Sequence, residues 1–590
     1  MGILDLLKNT RKPHPVDPPA PLSTVWGETL DPERVLPEYP RPSFVRPSHI
    51  SLNGVWHYAI TKTPEQPVMP QGTILVPFSP ESRLSGVEHI LQPDEYLWYY
   101  KTLPQLKKPS EGARLLLHFG AVDQIAEVYL NGKYQCTHVG GYLPFTVDIT
   151  ESLSVLENRL VVRVQDTTDT SYHTRGKQAL VRSGFSYTPQ SGIWQSVWLE
   201  WVPACYIRAL SVTPHDDLCS VSLRLETSVP AGVEVVVYDD NDKPFTKAYC
   251  ATGKAPEEEY PINLCKSGSD TKPCNRIGSG CYVAGVRLLI ENARLWTPED
   301  PYLYRMSLHV GNDTVVAYFA MRCVSVQPDE QGVPRFCLNH KPLFLNGVLD
   351  RGYWPESLMS APSDKALIYD ITQMKNRGFN MIRKSAKVES ARWYYHCDRL
   401  GMLVFQDIVN GGSAYSRLLT AYLPVWFPRL FGSLPDGSVS YRLLARGDAE
   451  GREQWENEMR GTIEYLCNAP SVCCYTLFDE GRGQFDAEKM TRIAKETDAT
   501  RLIEQAGGWF DRGGGDFRSV HSYTKKGSAI QQVNGRALLL SLFGAQGGNS
   551  AQPSSTELAG TVRAQVADVE YDLGGILSAD RKEVKPERPA

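Results

Sequence analysis

Carboxylates, an arginine, a histidine and aromatic residues recur in this chain where short apolar runs end. VLD ends on Asp350, MIRKSAKVE carries Arg383 through Glu389, and VFQD ends on Asp407. TLFDE ends on Asp479 and Glu480, LIEQ carries Glu504, and SVHSY carries His521 and Tyr523. No phosphate-binding glycine loop accompanies them. Such a set suits a neutral ligand rich in hydroxyls, which carboxylates and amides can hydrogen-bond while Trp354 and Trp509 stack on the apolar face of a pyranose. For any single Asp or His the competing reading is structural: it caps a strand or pairs with a neighbour. His396 and Cys397 lie in a helix-like stretch, and Cys473 and Cys474 in a strand that reads as buried. Packing accounts for these four better than metal or redox chemistry. No metal and no cofactor is expected.

Residues at strand ends converge when the strands are parallel and close into a barrel, so the surrounding pattern matters. After about residue 330 helix-like and strand-like stretches alternate. DKALIYDITQMKNRG, ending on Gly378, precedes FNMIRKS; ARWYYHCDRLG precedes MLVFQDI; REQWENEMRGTIEYLCNAP precedes VCCYTLFDE; AEKMTRIAKETDA precedes TRLIEQAGGW. This alternation predicts βα units. Upstream the texture differs. Short alternating runs such as TILVPF, IAEVYLNG and SVWLEWV predict an antiparallel β-sandwich over 46–203. A second β-rich stretch at 204–328 has the size of an immunoglobulin-like sandwich. Within it, KSGSDTKPCNRIGSG reads as an exposed loop. Residues 1–45 are proline-rich and read as an extended arm, and 329–590 as the barrel domain.

The composition excludes other classes. Lys+Arg 62 against Asp+Glu 67 leaves a net charge of −5 over 590 residues, too weak a field to recruit nucleic acid or an anionic membrane. No apolar run approaches the ~20 residues that span a bilayer. MGILDLLKNTRKPHP is too short in apolar residues for a secretory signal, and Leu6 makes a poor myristoylation site. Thirteen scattered cysteines suit reduced thiols, so a cytoplasmic protein is expected.

LNGVW at 52–56, VPFSPES at 76–82, LWYYK at 97–101, HFGAVDQIAEVYLNG at 118–132, GGYLPFTVDIT at 140–150, RGKQ at 175–178 and SGIWQSVWLE at 191–200 form a long ordered series. With LWTPEDPYLY at 295–304 and FLNGVLDRGYWPESL at 344–358, they resemble glycoside hydrolase family 2, which includes β-galactosidases, β-glucuronidases and β-mannosidases. The resemblance implies an N-terminal jelly-roll sugar-binding sandwich, an immunoglobulin-like sandwich and a C-terminal (β/α)8 TIM barrel. It also implies a β-linked carbohydrate as ligand, and dimers or larger homo-oligomers formed through the sandwiches.

The family hydrolyses β-glycosides with retention, using an acid/base and a nucleophilic carboxylate about 5–5.5 Å apart. FDEGRGQFD at 478–486 resembles the acid/base motif and puts Glu480 at that position. LLLSLFGAQGG at 538–548 resembles the nucleophile motif LSEFGG, but its Glu position is Leu542. Gln546 is a poor substitute. Further departures are Ser385 at a His position, Phe405 at a Trp position, Asp479 for Asn, Arg482 for Trp and Ala469 for His. They are read as a cluster around one pocket. Asp479 is expected to raise the pKa of Glu480 by like-charge repulsion, with Arg482 partly neutralising the pair. No N-x-K triplet, the family's glucuronate signature, follows Leu542. The residues between Asn549 and Val562 predict an abbreviated seventh βα unit.

Two readings follow. In the first, the scaffold binds a β-linked sugar or glycan fragment with hydrolysis lost or very weak, or serves as a partner subunit for an active paralogue. Its contacts are Asp350, Trp354, Arg383, Glu389, Asp407, Asp479, Glu480, Trp509, His521 and Tyr523. In the second, Glu480 works with another carboxylate, Glu389, Asp407 or Glu504. An inverting mechanism of that kind requires about 6.5–9.5 Å between the two.

Overall fold

The computed structural model describes residues 22–107, 110–182, 186–254, 282–416, 435–521, 535–543 and 557–586, with 542 and 543 described in backbone only. Strand Ile125–Leu130 shows the rule that builds both sandwiches: Ala126, Val128 and Leu130 are buried, and the residues between them are half-exposed. In the first sandwich His49–Ser51, Val197–Val202, Arg114–Phe119 and Phe145–Asp148 form one sheet. Gly72–Val76, Gly54–Thr61, Tyr96–Thr102, Arg159–Gln165, Ile125–Leu130 and Lys133–Val139 form the other. Trp56, Leu117, Phe119, Val128 and Val162 lie in the core between them.

The second sandwich pairs Ile207–Pro214, Ser220–Thr227, Tyr282–Leu289 and Gly253–Lys254 in one sheet. Pro244–Ala251, Gly232–Tyr238, Tyr304–Val310 and Asp313–Phe319 make the second. Its polar insert at 266–280 lies outside the described residues. A small sheet, Val324–Pro328, Pro334–Leu338 and Lys341–Pro342, brings Phe336 and Leu338 against Leu345, Leu403 and Leu539 and floors the barrel.

Eight strands make the barrel: β1 Leu345–Asp350, β2 Met381–Lys384, β3 Leu403–Asp407, β4 Val472–Asp479, β5 Leu502–Gly507, β6 Phe517–His521, β7 Ala537–Phe543 and β8 Leu558–Ala564. They form one sheet in the order β5-β4-β3-β2-β1-β8-β7-β6, with each neighbouring pair parallel. The ring is nearly closed. Between β5 and β6 no strand pairing forms among the described residues; the segment leading into β6 makes one bridge, Glu504 to Gly515, with the Asp516 amide donating to the Ile503 carbonyl at 2.7 Å.

Helices α1 Asp364–Lys375, α2 Ala391–Leu400, α3 Ala449–Leu466 and α4 Ala487–Thr497 cover β1 to β5. Ser363 and Asp448 cap α1 and α3 by accepting from backbone amides, each cap worth about 1 kcal/mol. Trp455 of α3 stacks on Phe478 of β4 at 4.8 Å. Residues 508–516, which join β5 to β6, form no helix. The links from β6 to β7 and from β7 to β8 fall mostly outside the described residues, and with them the expected shortening of the seventh unit.

The arm touches all three units. Trp26 meets Trp354 of the barrel edge-on at 6.2 Å. Tyr39 and Arg41 reach Glu200 of the first sandwich, and Val45 bridges to Val316 of the second.

Candidate active site

The parallel barrel gathers the strand-end residues at one mouth. Asp350 ends β1, Arg383 lies in β2, Asp407 ends β3, Asp479 and Glu480 end and follow β4, Glu504 lies in β5, His521 ends β6, and Leu542 stands near the end of β7. At β7 the register with β8 slips between Ser541 and Phe543, leaving Leu542 without a partner position. Irregularities of this kind re-aim side chains beside active sites. The Leu542 side chain and all of Tyr523 lie outside the described residues.

Arg383 is the centre of the mouth. Fully buried, it donates to Asp407 at 2.9 Å and to Asp479 at 3.1 Å, with Glu504 at 3.5 Å. Burial pushes the Asp407 carboxyl up to about 7 against the pull of Arg383, and its Oδ2 has no hydrogen-bond partner. Glu504 accepts from Thr476 of β4 and Ser519 of β6, one hydroxyl to each carboxylate oxygen.

Glu480 sits in the left-handed region (φ 52°), in a sharp turn whose amide donates to the Gly507 carbonyl at 2.8 Å. Such a conformation is uncommon for a residue with a side chain and concentrates at functional sites. Gly481 completes the turn at φ 67°, where a Cβ would lie 2.0 Å from the Phe510 ring. Arg482 Nη2 approaches Glu480 Oε2 at 2.6 Å, and His521 Nδ1 lies 3.6 Å from Oε1. Burial alone would raise the Glu480 pKa, but Arg482, His521 and Lys177 outweigh it and hold the carboxyl well below its ordinary range. This reverses the sequence expectation: the cations decide the sign, and repulsion from Asp479 does not. The Asp479 carboxyl is lowered too, with Lys177 and Arg383 outweighing burial.

A separate network surrounds Lys384. Its Nζ donates to Asp350 at 2.5 Å and Glu389 at 3.0 Å, lying 4.1 Å over the Trp393 ring. Lys387 shares Glu389 at 2.5 Å. Burial depresses Lys387 to about 8, whereas Asp350 and Glu389 keep Lys384 raised.

Trp509 meets His521 edge-on at 5.2 Å and so belongs to the mouth. Trp354 does not present a free stacking face there. It is buried in the hydrophobic core, with the Arg581 guanidinium 4.2 Å over its ring and Trp26 at its edge. Nor do all the family departures line one pocket. Phe405 lies in the apolar barrel interior, edge-on to Phe517 at 5.2 Å, and Ala469 precedes β4 at the opposite end of the barrel. Ser385, Asp479 and Arg482 remain at the mouth.

His396 contacts Asp364 at 2.9 Å, and Cys397 is buried among core residues. Burial raises the Cys473 thiol to about 12 and holds the Cys474 thiol well above its ordinary value.

Sequence reasoning missed three residues. Lys177, in the RGKQ loop of the first sandwich, reaches Asp479 at 3.6 Å and is depressed to about 8 by burial, Arg482 and Arg351. Its loop docks on the barrel through the Arg175 and Gly176 amides, which donate to Asn410 O at 2.9 and 2.8 Å. Asn410 in turn donates to the Arg482 carbonyl. Arg351 donates to Gln565 at 2.9 Å and to Ser385 at 3.2 Å. In the sequence the RGKQ motif marks this loop, but nothing in it points to the contact with Asp479.

Comparison with known proteins places this geometry. Residues 87–203 match the family model "Glycosyl hydrolases family 2, sugar binding domain", 205–322 match "Glycosyl hydrolases family 2", and 332–526 match "Glycosyl hydrolases family 2, TIM barrel domain". The last match stops before β7. A β-galactosidase of Thermoanaerobacter pseudethanolicus is 25% identical over 342 residues, 56% of this chain and 42% of that protein. The β-galactosidase large subunit of Leuconostoc lactis is 23% identical over 425 residues, 69% and 58%. The chain thus spans about half the length of these curated relatives. Among solved structures, a β-glucuronidase from an uncultured Clostridium sp. superposes with TM-score 0.68 at 16% identity, covering 91% of this chain and 96% of that one. A β-galacturonidase from Eisenbergiella tayi bound to galacturonate gives 0.66 at 15%, covering 93% and 96%. At such identity the two structures speak for the fold. Three consecutive family models and a shared fold over nearly the whole chain make it a member of glycosyl hydrolase family 2.

Proposed function

We propose that this chain binds a β-linked sugar or glycan fragment at the barrel mouth and hydrolyses it very weakly or not at all. Leu542 carries the reading: a leucine at the nucleophile position has no atom with which to attack the anomeric carbon. The state of Glu480 supports it. A general acid must hold a proton near the working pH, and a carboxyl held well below its ordinary range by Arg482 does not. Leu542 and Arg482 therefore point the same way. Reduced thiols, with ten described cysteines all free, fit the cytoplasm. Among the described residues no helix is long and apolar enough to cross a membrane. A homodimer or larger assembly through the sandwiches rests on the family resemblance alone.

The test is nitrophenol release from aryl β-galactoside, β-glucuronide and β-mannoside, with and without azide or formate, beside Leu542→Glu. No turnover in the natural chain, with turnover gained on anion addition or in Leu542→Glu, is expected. A second reading has one observation in its favour. Asp407, at about 7 and with Oδ2 uncommitted, could serve as the base of an inverting pair. Anion-insensitive turnover abolished by both Glu480→Gln and Asp407→Asn would establish it and overturn the first.

A further inference from the structure

The loop that brings Lys177 to the barrel mouth is tied down on both sides by buried carboxylates. On one side the Thr174 hydroxyl bonds Glu458 of α3, whose other oxygen accepts from Gln454 at 2.8 Å. On the other, Gln178 Nε2 donates to Asp123 of the first sandwich at 2.8 Å and to the Tyr142 hydroxyl at 2.9 Å. Between these ties the Arg175 and Gly176 amides rest on the Asn410 carbonyl, and Lys177 lies 3.6 Å from Asp479.

One pair of glycines closes over both carboxylates. A Cβ at Gly140 would lie 3.1 Å from Glu458 Oε1, and one at Gly141 2.2 Å from Asp123 Oδ1. Asp123 Oδ1 is left buried with no hydrogen-bond partner. Arg446, the cation that faces Glu458, gives its Nη1 to the Tyr172 and Gly451 carbonyls instead. Asp123 faces Asp166, Glu458 and Glu81, all of its own sign, together with Tyr142 and Tyr353, whose hydroxyls burial keeps neutral. Burial therefore holds Glu458 at about 7 and Asp123 well above its ordinary value. The docked loop supplies part of that burial. A carboxyl whose pKa rises on docking favours the docked state at low pH and weakens it as pH rises.

We propose that the loop is a pH-sensitive clamp between the first sandwich and the barrel: protonated Glu458 and Asp123 hold Lys177 at the mouth, and their ionisation releases it. Two neighbouring bases act in the opposite sense, outside the window of the carboxylates. His173, which bonds Gln454, is lowered by burial from its ordinary 6.5 and acts below that value. Lys177, lowered to about 8, acts above it. The loop answers to this seam with or without a sugar in the mouth, so the test needs no ligand.

The experiment is amide hydrogen exchange of the full chain over residues 173–178, read as protection factors, which remove the intrinsic pH dependence of exchange. Between about pH 6.5 and about pH 8 protection is expected to fall at least about fivefold. Strand Ser220–Thr227 of the second sandwich is expected to keep its own. Glu458→Gln and Asp123→Asn should each reduce the fall, and the double variant should abolish it. Thr174→Val cuts one tie with both carboxylates in place and should lower protection already at the acidic end. Thermal melting shows which variants fold, and Thr174→Val stands in for a carboxylate variant that does not. The proposal is overturned by equal protection at the two pH values, by a fall that persists in the double variant, or by Thr174→Val behaving as the natural chain does. A fall shared equally by Ser220–Thr227 would also overturn it, since the whole molecule would then be loosening rather than the loop.

Discussion

At Glu480 two influences oppose each other. Burial favours the protonated acid that glycoside cleavage requires, and Arg482 at 2.6 Å favours the carboxylate. Restoring Leu542→Glu alone is therefore expected to serve aryl glycosides, whose leaving groups need little protonation. Alkyl glycosides should respond only when Arg482→Ala is added. In the double variant kcat/KM for a methyl glycoside should rise about 10²-fold or more over Leu542→Glu, the lower end of what a general acid contributes. The pH profile should move with it. With the Glu480 pKa returned towards neutrality, the alkaline limb of activity should shift upward. An unchanged ratio of alkyl to aryl rates would show that Arg482 does not set the protonation of Glu480.

Where the first sandwich meets the barrel, elements that each follow their own pattern bring four carboxylates together. Asp123, Asp166 and Glu81 come from the sandwich and Glu458 from α3. Burial raises Glu81 to about 8, Glu458 to about 7, Asp166 to about 6, and Asp123 well above its ordinary value. Arg446 pulls on Glu458, while Asp123, Asp166 and Glu81 repel one another. Their folded pKa values lie above the unfolded ones. The unfolded chain therefore ionises first, and the stability these groups contribute falls as pH rises from about 4 to about 8. Replacing Glu81→Gln should flatten that part of the curve of melting temperature against pH. A slope equal to the wild type's would refute the assignment.

Much of this element layer was legible in sequence. ARWYYHCDRLG ends at Gly401 in the left-handed region, as an RLG terminus should. At α1 Gly378 does the same: it is left-handed at φ 80°, and the Phe379 and Gly378 amides donate to the Met374 and Lys375 carbonyls at 3.2 and 2.9 Å, closing the helix end. The strand-end carboxylates were legible because period and position suffice to place them. The direction of the Glu480 shift was not, since it depends on where one arginine head group lies. Lys177 was not either. Its contact joins residues some 300 positions apart across two domains, and no local period encodes that.

At the scale of the whole molecule, charge ties the two sandwiches together where the arm ends. Arg46 donates to Asp313 of the second sandwich at 2.9 Å and lies 3.2 Å from Glu200 of the first. Glu200 also takes Tyr39, Arg41 and Trp198 Nε1. Burial would raise the Glu200 carboxyl, but Arg41, His118 and Arg46 hold it well below its ordinary range. Removing one partner from a buried pair costs about 3–5 kcal/mol, whereas a partly exposed pair is worth little. Arg46→Met should therefore lower the thermal midpoint clearly more than Arg41→Met, whose side chain is 27% exposed. Equal effects would mean that Arg46 does not couple the units.

The bond pattern at Glu504 has one more consequence. A bracelet of strands resists opening only as well as its weakest join, and among the described residues that join lies between β5 and β6, where the one backbone bridge goes to the link before β6 and no helix stands behind it. Glu504 stands on β5 with Thr476 of β4 on one oxygen and Ser519 of β6 on the other. It works as the clasp of that bracelet. A carboxylate so engaged cannot be surrendered to chemistry without loosening the ring that holds every other group in place.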